Sequence, residues 1–259
     1  MAQSPAMNVM RAAVEKAGRA LRRDFGEVEN LQVSKKGPGD FVSQADLKAE
    51  KILFEELSEA RPGYGFLMEE RGVVEGADAT HRWIIDPLDG TTNFLHGIPH
   101  FAISVALERE GTLVAGIVYN PITDELFFAE RGQGAYGPGG RLRVSGRNKL
   151  SEAVISTRFA YKSSDGFKTP ASEIEKLLPQ VAGLRNFGSA ALDLAYVAAG
   201  RFDGYVEYGL EAWDYAAGIV LVREAGGLVS DETNGQKMLE NGNMVAGNED
   251  LHAALLKSL

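Results

Sequence analysis

The chain has 259 residues, with 27 Lys and Arg against 36 Asp and Glu for a net charge of −9, and 44% hydrophobic against 24% charged residues. Those proportions are globular and exclude a disordered, collagen-like or low-complexity chain. The length suffices for one large domain or two lobes burying roughly three quarters of the unfolded surface. The absence of cysteine removes disulfides, thiolate metal sites and thiol nucleophiles. The acidic balance argues against binding nucleic acid through its phosphates, which needs clustered Lys and Arg. It suits collection of metal cations. The N-terminal stretch MAQSPAMNVMRAAVEKAGRALRRDF has no apolar signal core, and no window approaches 18 uncharged apolar residues. Neither a signal peptide nor a membrane span is expected, and the cytoplasm is the default compartment.

In chain order, Met7, Met10, Ala13, Ala17 and Leu21 recur at helical spacing and predict a helix over about 6–25 that starts at Ser4-Pro5. The stretch Lys35-Lys36-Gly37-Pro38-Gly39-Asp40 breaks the periodicity and predicts a loop or hairpin turn. Ser43 to about Ala60 predicts a second amphipathic helix with Ser43 as its cap. Gly65–Met68 and Trp83–Ile85 are short apolar runs of the buried-strand kind, and Pro87 is expected to stop the second. Phe101–Leu107, Leu113–Tyr119 and Glu125–Ala129 predict an antiparallel meander, split by Arg109-Glu110-Gly111 and Asn120-Pro121. The apolar residues of Phe94 to Leu107 are expected in the core, and Gly132 to Gly140 reads as turns. The second half predicts a strand at Ala153–Ser156, helices over about 170–181 and 189–199, and a strand at Phe202–Glu207. A helix from about Asp214 to Ala225 closes at Gly226-Gly227; a strand at Leu228–Ser230 and a helix over about 249–256 follow. This reads as two α/β lobes, residues 1–145 and 146–259.

The most informative segment is Trp83-Ile84-Ile85-Asp86-Pro87-Leu88-Asp89-Gly90-Thr91-Thr92-Asn93-Phe94. Two carboxylates three residues apart at a strand end can converge on one point, with the Leu88 carbonyl as a third oxygen. Gly90 lets backbone approach a ligand closely, and a helical turn opened at Thr91-Thr92 offers free N–H groups to an oxyanion. Hard oxygen ligands beside an anion cradle suit Mg²⁺-dependent phosphate chemistry. Alone, D-x-x-D-G is also an ordinary Asp-Gly turn. Three more segments carry acids: Met68-Glu69-Glu70-Arg71-Gly72 at a strand exit, Trp213-Asp214-Tyr215-Ala216-Ala217-Gly218 at a helix start, and Asp40 to Asp46. Taken singly, each reads first as an ordinary feature, a solvated cluster, an N-cap or a first-turn acid respectively.

Together these segments resemble the inositol monophosphatase family of Mg²⁺-dependent, lithium-sensitive phosphatases across nearly the whole chain. WIIDPLDGTTNF resembles its first signature, and WDYAAGIVLVREAGG its second, with the E-E and D-x-V-[ST]-x-A-D segments in the same order. The resemblance implies a layered αβαβα sandwich of the inositol monophosphatase and fructose-1,6-bisphosphatase type, with a mixed, mainly antiparallel first sheet. It implies two to three Mg²⁺ per subunit, held by Glu69, Asp86, the Leu88 carbonyl, Asp89 and Asp214. It implies that Thr91 with Asp46 orients or deprotonates a metal-activated water, with Glu69 also serving catalysis, and that Gly90, Thr91 and Thr92 receive the phosphate. Gly188, Ser189, Ala190 and Glu207 match segments that contact the substrate hydroxyls. Lys35 matches a lysine near the water shell of a third metal, with Lys36 the neighbouring choice. Met68 before the E-E pair departs from the usual pattern, and Glu211, two residues before Trp213, is an added acid at a position where the family varies and where a change could alter leaving-group preference. His81, His96, His100 and His252 fit no nucleophile motif and are expected in core or surface roles.

The implied activity is hydrolysis of inositol monophosphate by direct attack of water, in a homodimer without membrane or direct nucleic-acid contact. The alternatives are a sibling phosphatase acting on fructose 1,6-bisphosphate, 3′-phosphoadenosine 5′-phosphate or histidinol phosphate, or a regulatory partner of the transcription and RNA machinery.

Overall fold

The computed structural model describes residues 4–27, 33–37, 40–158, 162–163, 166–167 and 171–259, with backbone alone for 33–37, 40–42, 162–163, 166–167 and 171. Helix α1 (Pro5–Phe25) opens where Ser4 Oγ accepts the Met7 amide and Pro5 fills the first turn. Strands β1 (Val33–Gly37) and β2 (Asp40–Ser43) pair as an antiparallel hairpin. Helix α2 (Gln44–Ala60) follows directly; Ser43 Oγ accepts the Ala45 amide and the Asp46 carboxylate accepts the Ser43 amide, a reciprocal cap.

The large sheet follows: β3 (Tyr64–Met68), β4 (Gly72–Val74), β5 (Asp78–Asp89), a short helix α3 (Thr91–Leu95), then β6 (Ala102–Arg109), β7 (Thr112–Asn120), β8 (Glu125–Glu130), β9 (Gly134–Gly137) and β10 (Gly140–Arg141). Its order is β10-β9-β8-β7-β6-β5-β3-β4, antiparallel throughout except where β3 lies parallel to β5. The second half adds β11 (Val154–Thr157), β12 (Lys162–Ser163), β13 (Gly166–Phe167), α4 (Ala171–Leu177), β14 (Gly183–Arg185), α5 (Ala190–Ala198), β15 (Gly204–Glu207), α6 (Ala212–Glu224), β16 (Leu228–Ser230), α7 (Met238–Asn241), β17 (Met244–Gly247) and α8 (Glu249–Ser258). Five of these strands form a mixed sheet in the order β14-β11-β15-β17-β16.

Alternation along the strands builds the layers. In β5, Trp83 and Ile85 pack with Met10, Ala17 and Leu53 of α1 and α2, while Ile84 points the other way, into the cluster of Leu194, Ala217 and Val222 from α5 and α6. That inner helical layer also meets Tyr205 and Ala246 of the five-stranded sheet. The outer face of that sheet, with Ile155, Val206 and Val245, is covered by Leu177 of α4 and Leu251 and Leu255 of α8. The result is the αβαβα sandwich that the family resemblance implied. Small residues let the layers close: a Cβ on Gly116 of β7 would meet the Ala217 carbonyl at 2.6 Å, and one on Gly218 would meet Leu194 Cδ1 at 2.5 Å.

Two expectations are corrected. Pro87 does not stop its strand, because β5 runs on to Asp89 past an extra residue. Asp86 pairs with Ser104 and Asp89 with Ala102, so three steps on β5 face two on β6, and the proline sits in that bulge. Residues 132–140 are not all turn, since β9 and β10 add a hairpin at the sheet edge. Within the Phe94 to Leu107 segment, Phe94, Phe101 and Ile103 are fully buried, whereas Ile98 is exposed. Among the described residues no helix is long and apolar enough to cross a membrane.

Candidate metal centre

The β5 bulge sets Asp86 and Asp89 on the same face at the end of the sheet, opposite Ser104 and Ala102, which are two residues apart on β6. Asp86 is buried, and its Oδ1 accepts the Leu88 amide at 2.9 Å. Asp89 lies one bulge further and uses Oδ2 to accept the Ser189 hydroxyl and the Ala191 amide, both at 2.7 Å. Asp214 reaches the same point from the first turn of α6, its Oδ2 accepting the Glu211 amide at 2.8 Å. One carboxylate oxygen from each of Asp86, Asp89 and Asp214 lies within 4.8 Å of the others. Burial first, then the charges of Glu69, Asp89 and Asp214, pushes the Asp86 carboxyl well above the usual range. Burial, then Asp214, does the same to Asp89. Like charges gathered in a poorly solvated site take up protons or a cation to be stable.

Glu69 directly follows β3, its amide donates to the Ile85 carbonyl at 3.2 Å, and its charge acts on Asp86. Met68, the departure from the family pattern, is fully buried under the sheet. Thr91 Oγ1 lies 3.0 Å from Asp46 Oδ1 and 3.1 Å from the Leu88 carbonyl, so its single proton is offered to one of the two. Asp46 is buried, and its other oxygen accepts the Ser43 amide and hydroxyl. Burial outweighs those donors and raises its pKa.

Gly90 has φ of 102° and caps α3, with Thr91 and Thr92 opening the helix. A Cβ at Gly90 would stand 3.2 Å from the Gly188 carbonyl and 3.1 Å from that of His100, so only glycine lets these segments meet. Asn93 fastens them, its Nδ2 donating to the His100 and Phe187 carbonyls at 2.7 Å each. Ser189 and Ala190 lie at the start of α5, and the Ser189 hydroxyl is spent on Asp89. Glu207, at the end of β15, is buried; it accepts Tyr205 OH at 2.6 Å and lies 3.6 Å from the Arg158 guanidinium. Burial lifts its carboxyl to about 7. Glu211 caps α6 and borders a cleft of about 440 Å³ with Leu67, Trp213, Leu239 and Glu240. His100 packs edge-on to Phe187 and Tyr196, with Nε2 3.8 Å from the buried Asp193. Lys35 and Lys36 lie on β1, and their side chains fall outside the described residues.

Two supporting residues escape a reading by motif function. Asn93 stands inside the signature, but its partners lie seven and 94 residues away. Glu50 is buried on α2, with its Oε2 accepting the Glu70 and Arg71 amides. The available signal was its spacing, one helical turn beyond Asp46.

The donor set fits a hard divalent cation. It is all oxygen, it gathers three carboxylates from segments far apart in the chain, and the raised pKa values of Asp86 and Asp89 mark charge that a cation would neutralise. Comparison with known proteins agrees. The sequence profile described as "Inositol monophosphatase family" matches residues 2–259. The chain is 62% identical to "Inositol-1-monophosphatase" of Mesorhizobium japonicum, over 100% of this chain and 97% of that protein. It is 43% identical to "Nus factor SuhB" of Escherichia coli K12, over 98% and 96% of the two chains. Among solved structures, the extragenic suppressor protein suhB from Bartonella henselae superposes with a TM-score of 0.93 at 55% identity, covering 98% of each chain.

Proposed function

The chain belongs to the inositol monophosphatase family, a phosphatase family, and on that footing we propose that it hydrolyses inositol monophosphate in a Mg²⁺-dependent reaction. The observation that carries the reading is the convergence of Asp86, Asp89 and Asp214 within 4.8 Å. With Glu69 and the Leu88 carbonyl they would hold two to three Mg²⁺. When bound, such ions neutralise phosphate charge and make water acidic enough to attack near neutral pH.

The chain's own residues do the rest. The Gly90 and Thr91 amides, with Thr92 beside them, receive phosphate oxygens. Thr91 Oγ1 orients the attacking water and passes its proton to Asp46 Oδ1, 3.0 Å away. Asp46 suits this role because burial raises its proton affinity. Gly188 and Ala190 border the leaving group, Ser189 holds Asp89 in place, and Glu207 accepts substrate hydroxyls. The working form is taken as a homodimer, which sedimentation would check.

The test is phosphate release from myo-inositol 1-phosphate, fructose 1,6-bisphosphate, 3′-phosphoadenosine 5′-phosphate and histidinol phosphate across a Mg²⁺ titration, with and without lithium. Mg²⁺-dependent, lithium-inhibited release greatest from the inositol ester supports the reading. Preference for another ester moves the assignment to a sibling phosphatase. The likeness to the Nus factor also supports a second role, as a partner of the transcription machinery. Retention of RNA polymerase or its elongation factors on the immobilised protein tests it, and both roles can coexist.

A further inference from the structure

Helix α2 presents Asp46, Glu50 and Phe54 at successive four-residue steps, which puts them on one face. Each of the three touches a segment of the metal centre. Asp46 accepts Thr91 Oγ1 at 3.0 Å. Glu50 Oε2 accepts the Glu70 amide at 2.8 Å and the Arg71 amide at 3.3 Å. The Phe54 ring lies 4.2 Å under the Arg71 guanidinium and 4.9 Å from Phe66 of β3. With the Glu69 amide on the Ile85 carbonyl, three consecutive amides from Glu69 to Arg71 are held from outside their own turn.

A carboxylate is a costly anchor for an ordinary turn. Glu50 is 3% exposed, and burying a charge is unfavourable unless hydrogen bonds compensate. A charged acceptor binds peptide amides more tightly than a neutral one, and so fixes geometry more firmly. The turn it holds begins at Glu69, whose charge already acts on Asp86.

We propose that Glu50 is a positioning residue. By clamping the Glu70 and Arg71 amides it fixes the direction in which Glu69 leaves β3, and so sets the affinity for the cation that Glu69 shares with Asp86. The inference rests on the cation reading above, and it makes α2 the common brace of Thr91 and Glu69.

The test uses the full chain with Glu50→Gln and Glu50→Leu, Mn²⁺ binding by calorimetry, and Mg²⁺ titration of phosphatase activity. Glu50→Gln keeps one acceptor oxygen and is expected to bind Mn²⁺ about tenfold more weakly, the scale of a support behind a metal ligand. Glu50→Leu is expected to bind more weakly still, and turnover returns in both at saturating Mg²⁺. If Glu50→Leu does not fold, Glu50→Gln decides. Wild-type cation affinity in a folded Glu50→Gln, with only the melting temperature lowered, would overturn the proposal and leave Glu50 a structural anchor. So would turnover that high Mg²⁺ does not restore. A wild-type protein that takes up no divalent cation would overturn the cation reading itself, and this inference with it.

Discussion

Strand β5 carries aspartates at both ends, and the two ends are electrostatic opposites. At its start, Asp78 accepts the Thr80 amide and hydroxyl and lies 2.9 Å from His81 Nδ1. These donors hold its carboxyl below the usual range. At its end, Asp86 and Asp89 stand among other carboxylates, poorly solvated, and their pKa values rise. Residue type, strand and sheet are shared; the surrounding donors, neighbouring carboxylates and water differ. The contrast teaches that a strand-end acid marks a functional site when its environment opposes its charge. The Asp78 end is a finished surface, whereas the Asp86 end is one that a cation could complete.

Substitution should break the comparison most sharply. Asp86→Asn, Asp89→Asn and Asp214→Asn are each expected to lower Mg²⁺-dependent phosphatase activity by at least about 100-fold while leaving a folded protein, read by steady-state kinetics and circular dichroism. The same change at Asp78 should leave turnover unaltered.

Next in size is the coupling of metal to pH. Because the folded pKa values of Asp86 and Asp89 are raised, their stability contribution is fully present below the unfolded value near 4 and is lost as pH rises through the folded one. Cation binding needs the deprotonated forms. The rise in melting temperature on adding Mg²⁺ should therefore be larger at about pH 8 than at about pH 5.5, and equal shifts would contradict the account.

A smaller effect is expected at Glu207, whose carboxyl is lifted from 4.5 to about 7. The sign is the same: the folded state holds the proton longer, so stability falls as pH rises between those values. Denaturant unfolding across that window should show a shallower fall for Glu207→Gln than for wild type. Smallest of all is the stability effect of Asp78→Asn, since that carboxylate is open to water and screened; its melting temperature should stay close to wild type.

What could be read from the sequence was what its local pattern contains. Helices α1 and α2 follow from apolar spacing and the Ser4 and Ser43 caps, and the meander from alternation between turn residues. The bulge at Pro87 is not local, because it depends on β6 offering one residue fewer. Met244–Gly247 carries no strand signal strong enough to be read locally, yet it forms β17, made a strand by β15 and β16 on either side. The acids of the metal centre stand in recognisable strings, but their supports do not. Ser189 binds an aspartate 100 residues away, and Glu50 on a charged helix looks like solvated surface until the Glu69 turn is folded over it. Such long-range hydrogen bonds leave no periodicity to detect.

We propose that the crowded acids at the end of β5 form a cation site for phosphoester hydrolysis. Its most direct test is phosphate release from myo-inositol 1-phosphate across a Mg²⁺ titration, with wild type and Asp214→Asn assayed side by side. Wild type should show saturable, Mg²⁺-dependent release, and the variant severely reduced release at every Mg²⁺ concentration. Release by wild type without divalent cation, or equal titration curves for the two proteins, would contradict it.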